Sequence, residues 1–212
     1  NEEPINSSPQ NITLHHLRQQ IKKAQGQANF CLSDFIAPKD SGIQDYIGAF
    51  AVSAGFGVDE LVSRYEQAHD DYNAILVKAI ADRLAEAATE YMHHLVRTEV
   101  WGYDSDDGLS NDDFIQEKYK GIRPAPGYPA CPDHTEKDTL WQLLNVKENI
   151  GIQLTESKAM YPAASVSGWY FAHPESKYFG ISEITSDQLQ DYCVRKKWDT
   201  AMGNKWLSPL LS

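Results

Sequence analysis

The spacing of apolar and polar residues changes several times along the chain. In residues 45–53 and 164–173, apolar and aromatic side chains crowd into short runs between turn-forming residues, which predicts two strands. Residues 70–101 instead carry apolar side chains three and four positions apart, which predicts the longest helix. Asp70 or Asp71 suits its start, because a carboxylate there accepts a backbone hydrogen bond and is favoured by the helix dipole.

The same criteria predict the remaining elements, which alternate without an internal repeat. Further helices are predicted at residues 14–24, 58–69, 110–119, 135–146, 185–197 and 202–207. Further strands are predicted at residues 28–37, 154–160 and 177–184. Residues 1–12 are polar and contain two prolines, so we interpret them as a disordered leader or linker stub ahead of a domain at residues 13–212.

A glycine pair after the strand at residues 45–53 is similar to a nucleotide-binding turn. Gly55-Phe56-Gly57 stands between a predicted strand and a predicted helix, as in dinucleotide-binding folds. The third glycine of that pattern is missing, because Glu60 or Leu61 occupies its place, and a second helix follows the first. The sequence therefore argues against a Rossmann fold.

The stiffest stretch of the chain is residues 123–134, which hold four of its ten prolines. Each proline fixes its own φ and restricts the preceding residue, so this stretch is neither a helix interior nor a central strand. Arg123 and Tyr128 add a permanent cation and an aromatic hydroxyl. A rigid connector and a preformed ligand-binding loop both agree with this composition.

The side chains that could face such a loop suggest the chemistry of its ligand. Arg123 favours a carboxylate, which a guanidinium binds through two hydrogen bonds. Aromatic residues favour a flat ring or an onium cation, and carboxylates favour positive charge. The aromatic candidates are Tyr128, Trp169, Tyr178 and Phe179, and the acidic ones are Asp82, Glu86 and Glu117. S-adenosylmethionine, which carries a carboxylate, a positive charge and a purine, meets these requirements, although chemical fit alone does not single it out.

Charge and composition exclude several partners. The 212 residues carry a formal net charge of −11, which repels nucleic acid and anionic membranes. No apolar run approaches the length of a membrane span. The three cysteines are far apart, which fits a reducing cytoplasm and gives no disulfide framework.

Motifs for catalysis and for metal binding are missing. The sequence contains no Gly-x-Ser-x-Gly, His-Glu-x-x-His or phosphate-loop pattern, which favours a binding module over an enzyme with its own nucleophile. Cys131 and His134 could supply two metal ligands, but no second pair stands at the spacing of a zinc finger. We therefore predict no metal site.

Long segments of the chain resemble the C-terminal activation domain of cobalamin-dependent methionine synthase. The resemblance runs from His15 to about Leu207, and its most specific part is residues 121–137, which contain the proline-rich stretch at residues 123–134. The other matching segments are residues 31–38, 45–52, 77–87, 154–157, 166–171, 176–179 and 187–192.

The resemblance implies a fold and a function. The fold would be α+β, a C-shaped single domain with a bent antiparallel sheet flanked by helices. The function would be to bind S-adenosylmethionine and support the reductive methylation of oxidised cobalamin, which a different domain binds. The partners would be the cobalamin-binding domain of the same enzyme and a flavodoxin-like or related flavoprotein as reductant. A domain that only docks on these partners, through its acidic surface and without a ligand of its own, is the alternative.

The resemblance also assigns site residues. Arg123 corresponds to the arginine that binds the ligand carboxylate, Ala125 would contribute main-chain contacts, and Tyr128 would line the pocket. Tyr178 and Phe179 correspond to an aromatic pair at the ligand. The matching carboxylates are Asp82, Glu86 and Glu117.

Two features set this chain apart from the whole enzyme. Family domains have a further N-terminal portion with an acidic residue that contacts the ligand, and Asp34 lies in a different motif and does not replace it. The cobalamin-binding Asp-x-His-x-x-Gly pattern and the homocysteine and folate modules are also missing. We therefore expect the chain to be a methyltransferase fragment that is not catalytically complete by itself.

Overall fold

The computed structural model describes residues 12–105 and 108–211. The prediction of a disordered leader thus lies almost entirely outside the described residues. The assignment of residues 13–212 to one domain stays a prediction.

Antiparallel strand pairs lie among helices. β1 (Gly48–Ser53) pairs with β4 (Ser165–Tyr170) along its whole length, and β2 (Gln153–Leu154) forms a short hairpin with β3 (Met160–Tyr161). This arrangement confirms the predicted α+β class. Because β1 and β4 run in opposite directions, it also confirms that the fold is not a Rossmann fold, whose sheet is mostly parallel.

The glycines after β1 serve a turn. Gly57 has a φ of 82°, which is unfavourable for residues with a Cβ, and it precedes α1 (Val58–Gln67). A Cβ on Gly55 would lie 2.4 Å from Pro162, so the close approach of these two segments requires glycine there. These contacts account for the glycine pair without a nucleotide.

Most of the helices predicted from the sequence are present in the structure. α2 (Asp71–Leu95) is the longest and continues into a π-helical turn at Val96–Val100. As predicted, the Asp70 side chain accepts a hydrogen bond, from the Asn73 N–H, at the start of α2. The others are α3 (Asn111–Ile115), α4 (Glu136–Leu144), α5 (Val146–Ile150), α6 (Ser186–Lys196) and α7 (Thr200–Leu207), with 3-10 turns at Leu32–Phe35, Lys39–Ser41 and Ser208–Leu210.

The two sides of α2 differ in a way that its sequence does not suggest. The side that faces the protein is made of small and polar residues, and several large apolar residues of the helix are exposed instead. The buried residues are Ala74, Ala81, Ala85, Thr89 and His93. The exposed ones are Tyr72, Ile75, Leu76, Ile80, Leu84 and Tyr91, with exposed fractions between 39% and 75%.

The prediction of a helix at residues 14–24 is wrong. This segment is extended, and Arg18 forms an isolated antiparallel bridge with Cys31. The Gln19 N–H donates to the Phe30 carbonyl at 3.0 Å, and the Gln19 side-chain oxygen accepts from the Phe30 N–H at 3.1 Å. Long-range hydrogen bonds thus override the weak helical spacing of this short segment.

Three predicted strands also need correction. Residues 28–37 contain the bridge at Cys31 and then the 3-10 turn, which Asp34 stabilises by accepting from the Cys31 N–H at 2.9 Å. Residues 154–160 include the turn of the β2–β3 hairpin, and residues 177–184 are extended without a ladder. In that last segment the Ile181 N–H donates to the Pro129 carbonyl at 2.8 Å, which ties it to the proline-rich stretch.

Besides a small alanine cluster between α2 and the segment that precedes β4, two larger apolar clusters hold these elements together. One lies between the sheet and α4, and the other lies between α6, α7 and the extended segment that contains Leu17. The first includes Leu32, Leu140, Ile152, Trp169 and Phe171; the second includes Leu17, Ile184, Tyr192 and Leu207. Of the helices in the described ranges, none is long and apolar enough to cross a membrane.

Candidate functional site

The chain enters the proline-rich stretch through an isolated antiparallel bridge between Ile122 and Phe171, at the end of β4. Ile122 and Phe171 exchange two backbone hydrogen bonds of 3.0 Å, and the Trp169 N–H donates to the Pro124 carbonyl at 2.9 Å. A Cβ on Gly168 would lie 2.8 Å from that carbonyl oxygen, so glycine permits the close approach. The stretch is therefore a fixed wall along one edge of the sheet.

A tight turn then leads the chain away from β4. The Tyr128 N–H donates to the Ala125 carbonyl at 3.1 Å, and the Cys131 N–H donates to the Tyr128 carbonyl at 2.9 Å. Gly127 has a φ of 94°, and a Cβ there would lie 2.3 Å from the His134 ring. Glycine is thus required at this point both by the backbone angle and by the packing of the imidazole.

The far end of the stretch is anchored to α6 by buried charge. The Asp133 carboxylate accepts from the Tyr192 hydroxyl at 2.7 Å and lies 3.3 Å from the Lys196 ammonium group. The same ammonium group donates to the buried Glu136 carboxylate at 2.5 Å. Burial raises the pKa of Glu136, while the lysine opposes this rise. The anchoring groups are thus largely satisfied by one another.

A cavity of about 360 Å³ lies between this stretch, β4 and the C-terminal half of α2. It brings together seven of the eight residues predicted for the ligand site. They are Glu86, Glu117, Arg123, Ala125, Tyr128, Tyr178 and Phe179. The eighth, Asp82, is exposed one turn before Glu86 on α2 and is not among the residues that line the cavity.

Arg123 is the central charge of the cavity. Its Nη2 lies 2.7 Å from the Glu90 carboxylate and 4.0 Å from that of Glu117, and its Nη1 donates to the Tyr119 hydroxyl at 2.7 Å. Burial alone would lower the pKa of Arg123, but Tyr119, Glu90 and Tyr178 raise it above its ordinary value. The guanidinium therefore remains protonated, and its orientation is set by these contacts.

His93 lies behind Arg123 on α2. Its Nδ1 lies 3.3 Å from Arg123 Nη1, its Nε2 lies 3.0 Å from the Tyr103 hydroxyl, and its ring stacks on Tyr170. Because a guanidinium only donates, Nδ1 must accept, and the imidazole hydrogen is then on Nε2. Burial, followed by the charges of Arg123 and Arg97, lowers the pKa of His93 to about 3. The imidazole is therefore neutral at physiological pH.

Aromatic side chains form much of the cavity wall. Tyr178 accepts a hydrogen bond of 3.0 Å from the Arg123 N–H, and Tyr128 exposes 63% of its surface at the cavity mouth. Phe50 of β1 forms part of the inner wall and stacks on Tyr170, with 4.7 Å between the ring centroids. The cavity thus offers apolar surfaces to a flat ring and a cation to an anionic group.

Sequence reasoning missed Glu90, His93, Tyr119, Lys137 and Phe50 as parts of this region. Glu90 and His93 follow Glu86 by four and seven positions on α2, so helical spacing carried a signal that places them on one side. Phe50 and Lys137 enter the cavity from elements that only the tertiary fold brings together. No local pattern marks them.

The structure does not assemble a metal centre in the described residues. No group of three or more histidine, cysteine or acidic side chains there is suited to hold a metal ion. Cys131 is buried, and burial raises the pKa of its thiol, which disfavours the thiolate that metals bind.

Comparison with solved structures gives a match at high identity. A structure described as the MetH reactivation domain bound to AdoHcy (S-adenosylhomocysteine) shares 57% sequence identity with this chain, with a TM-score of 0.90. The match covers 93% of this chain and 61% of that chain. The chain therefore spans less than two thirds of the length of that solved relative.

The family comparison covers most of the sequence. Residues 2–197 match the model of the activation domain of vitamin B12 dependent methionine synthase. The match includes the proline-rich stretch, α2 and the strands that border the cavity. The chain thus belongs to the family of vitamin B12 dependent methionine synthase activation domains.

Proposed function

We propose that this chain binds S-adenosylmethionine, or its demethylated product S-adenosylhomocysteine, in the cavity beside the proline-rich stretch. The observation that carries the proposal is the convergence of Arg123, the aromatic pair Tyr178 and Phe179, and Glu86 and Glu117 on one cavity. The bound AdoHcy of the solved relative supports the same ligand class.

In this proposal each group has a defined task. The guanidinium of Arg123 binds the ligand carboxylate, and the carboxylates of Glu86 and Glu117 face positive charge on the ligand. Tyr128 and Phe179 cover the flat ring, and Ala125 offers main-chain groups. Asp82 lies outside the cavity lining, so we propose it for a contact with a partner or with a part of the ligand that projects outward.

The biological role follows from the family. S-adenosylmethionine would supply the methyl group for the reductive methylation of oxidised cobalamin. The cobalamin would be bound by another domain of the same methyltransferase, and a flavodoxin-like or related flavoprotein would supply the electron. The chain by itself would not complete this reaction. The three free, buried cysteines support a cytoplasmic setting for the enzyme.

The ligand proposal is tested by calorimetry with S-adenosylhomocysteine. We expect Arg123→Ala to weaken binding by about 2 kcal/mol, or about 30-fold, because a charge-assisted contact with the ligand carboxylate is lost. Methylthioadenosine has no carboxylate, so its affinity should be the same in the two proteins. Arg64→Ala, which changes an exposed arginine on α1, is the control for loss of charge.

Two results would reject the proposal. One is the absence of binding heat for S-adenosylhomocysteine in the unsubstituted protein. The other is an equal loss of affinity for both ligands in Arg123→Ala, which would show that the substitution damages the cavity as a whole.

The exposed apolar side of α2 favours a second function, that of a docking domain. Six large apolar residues on one helix are exposed there, which is typical of a surface that contacts another protein. In this alternative the cobalamin-binding domain or a flavoprotein binds the chain without a contribution from the ligand.

A further inference from the structure

The outer edge of β4 stops pairing where the cavity begins. Ile122 pairs with Phe171, and Pro124 accepts from the Trp169 N–H. Continuing this register would place Pro126 opposite Ser167. Proline has no N–H to donate, and the turn at residues 125–131 takes the chain away from the strand. The ladder therefore ends one pair short, beside Ser167.

The main-chain groups of Ser167 point towards this gap. Along a strand in an antiparallel pair, the N–H and C=O groups of successive residues face opposite edges. The Ala54 N–H donates to the Ala164 carbonyl at 2.9 Å, so Ala164 and Val166 face β1, whereas Trp169 faces the proline-rich stretch. The N–H and C=O of Ser167 share the direction of Trp169, and we find no described residue that pairs with them.

The side chain of Ser167 is also unpaired. The residue is 1% exposed and lines the cavity, and its Oγ has no hydrogen-bond partner within the described ranges. Ser165, two positions earlier, differs in this respect because its Oγ bonds to the Pro162 carbonyl at 2.6 Å. Buried polar groups in proteins are nearly always paired, so three unpaired groups at one residue indicate a place that a ligand completes.

The position of Ser167 selects the part of the ligand that it meets. Arg123 lies beside the Phe171 end of β4, and the next pairs along the ladder lead to Ser167 about 10 Å away. If Arg123 binds the carboxylate, as in the proposed function, the opposite end of the ligand lies near Ser167. The base occupies that end of S-adenosylhomocysteine. Phe50, whose register partner Gly168 adjoins Ser167, gives this part of the cavity an apolar surface suited to a flat ring.

We propose that Ser167 is a specificity-determining residue that recognises the adenine base. Its N–H donates to a ring nitrogen, its C=O accepts from the exocyclic amine, and its Oγ donates to the same base. The base thereby takes the place that the proline-rich stretch leaves empty in the ladder. This inference rests on the proposed function and adds the selection of adenine over other purines.

The test compares S-adenosylhomocysteine with S-inosylhomocysteine by calorimetry. In the inosine compound the amine is a carbonyl and the adjacent ring nitrogen carries a hydrogen, so both main-chain contacts are mismatched. We expect it to bind about 10- to 100-fold more weakly, since buried groups are left unpaired. Equal affinity for the two compounds would overturn the inference. If neither compound binds, the proposed function itself fails.

A spectrum with assigned amide resonances locates the contact. The amide proton of Ser167 should move downfield when S-adenosylhomocysteine binds, because it gains an acceptor. The amide of Val52 in β1, which pairs with Val166 and does not line the cavity, is the control and should move little. A ligand that shifts Val52 and leaves Ser167 unchanged would contradict the assignment.

Ser167→Ala tests the side chain alone. We expect about fivefold weaker binding of S-adenosylhomocysteine, with adenine still preferred because the main-chain groups remain. Unchanged affinity would overturn the role of Oγ. Loss of the preference for adenine would overturn the role of the main chain.

Discussion

At the scale of single residues, the cavity depends on groups that hold Arg123 rather than on Arg123 alone. The guanidinium contacts Glu90 and Tyr119 directly, and the neutral imidazole of His93 lies against it. A protonated imidazole at this position would place a second cation beside the guanidinium in a buried site. The neutral state of His93 is thus part of how the fold tolerates Arg123.

His93 should make the stability of the protein depend on pH. Its pKa is about 3 in the folded state and near 6.5 in the unfolded state, so the unfolded chain binds the extra proton first as pH falls. The contribution of neutral His93 to the free energy of unfolding is complete above pH 6.5 and decreases as pH falls from there towards 3. At pH 5 the loss should be about 2 kcal/mol.

Urea unfolding at pH 7 and pH 5 measures this loss. His93→Gln keeps a polar side chain and removes the titration, so its free energy of unfolding should change about 2 kcal/mol less between the two pH values than that of the unsubstituted protein. The pKa of half-buried His16 is lowered to about 4, mainly by desolvation, and its titration adds a change of the same sign to both proteins. Identical pH dependence in the two proteins would show that His93 does not cause the effect.

At the scale of elements, α2 shows how far periodicity predicts a helix and where it fails. Its limits and its cap at Asp70 could be predicted, since both depend on local sequence. Which side of α2 is buried could not be predicted from the sequence. Alanines such as Ala81 and Ala85 are buried against the sheet side, whereas Leu84 and Ile80 remain exposed. Size, rather than hydrophobicity alone, decides which side of this helix is buried.

Substitutions on the two sides of α2 should therefore have unequal effects. Ala85→Leu adds volume where the residue is 1% exposed and should lower the free energy of unfolding by about 1–3 kcal/mol. Leu84→Gln changes an exposed residue with little effect on helix propensity and should stay within about 0.5 kcal/mol of the original. Urea titrations measure both values. A large loss in Leu84→Gln would indicate that this side is covered in solution.

At the scale of the whole molecule, the exposed side of α2 bears on how the chain meets other proteins. If the docking alternative holds, Leu84→Gln should weaken binding to the isolated cobalamin-binding domain by about fivefold, as expected for the loss of one apolar contact of about 1 kcal/mol. The affinity for S-adenosylhomocysteine should be unchanged, because Leu84 does not line the cavity. Surface plasmon resonance and calorimetry give the two values. Binding to the partner domain that is unaffected by Leu84→Gln would place the docking surface elsewhere.

The same scale explains what the sequence did not predict. The proline-rich stretch, Arg123 and the aromatic pair were recognised from composition and from family resemblance, and the cavity contains them. The extended segments near the two ends of the chain were not predicted, because the residues that they hydrogen-bond with are remote in sequence. The Arg18 N–H, for example, donates to the Gln188 side chain at 2.7 Å across 170 positions. Such contacts leave no periodic pattern in either segment.

The prolines beside β4 have a consequence for self-association. An open strand edge can recruit a strand from another molecule, but Pro124 and Pro126 have no N–H to offer, and the Arg123 N–H already donates to Tyr178. The opposite edge of the sheet is β1, an apolar strand that pairs only with β4 among the described residues. Aggregation by strand addition should therefore begin at β1, on the side of the sheet away from the proline-rich stretch. Oligomers formed in this way would leave the cavity accessible.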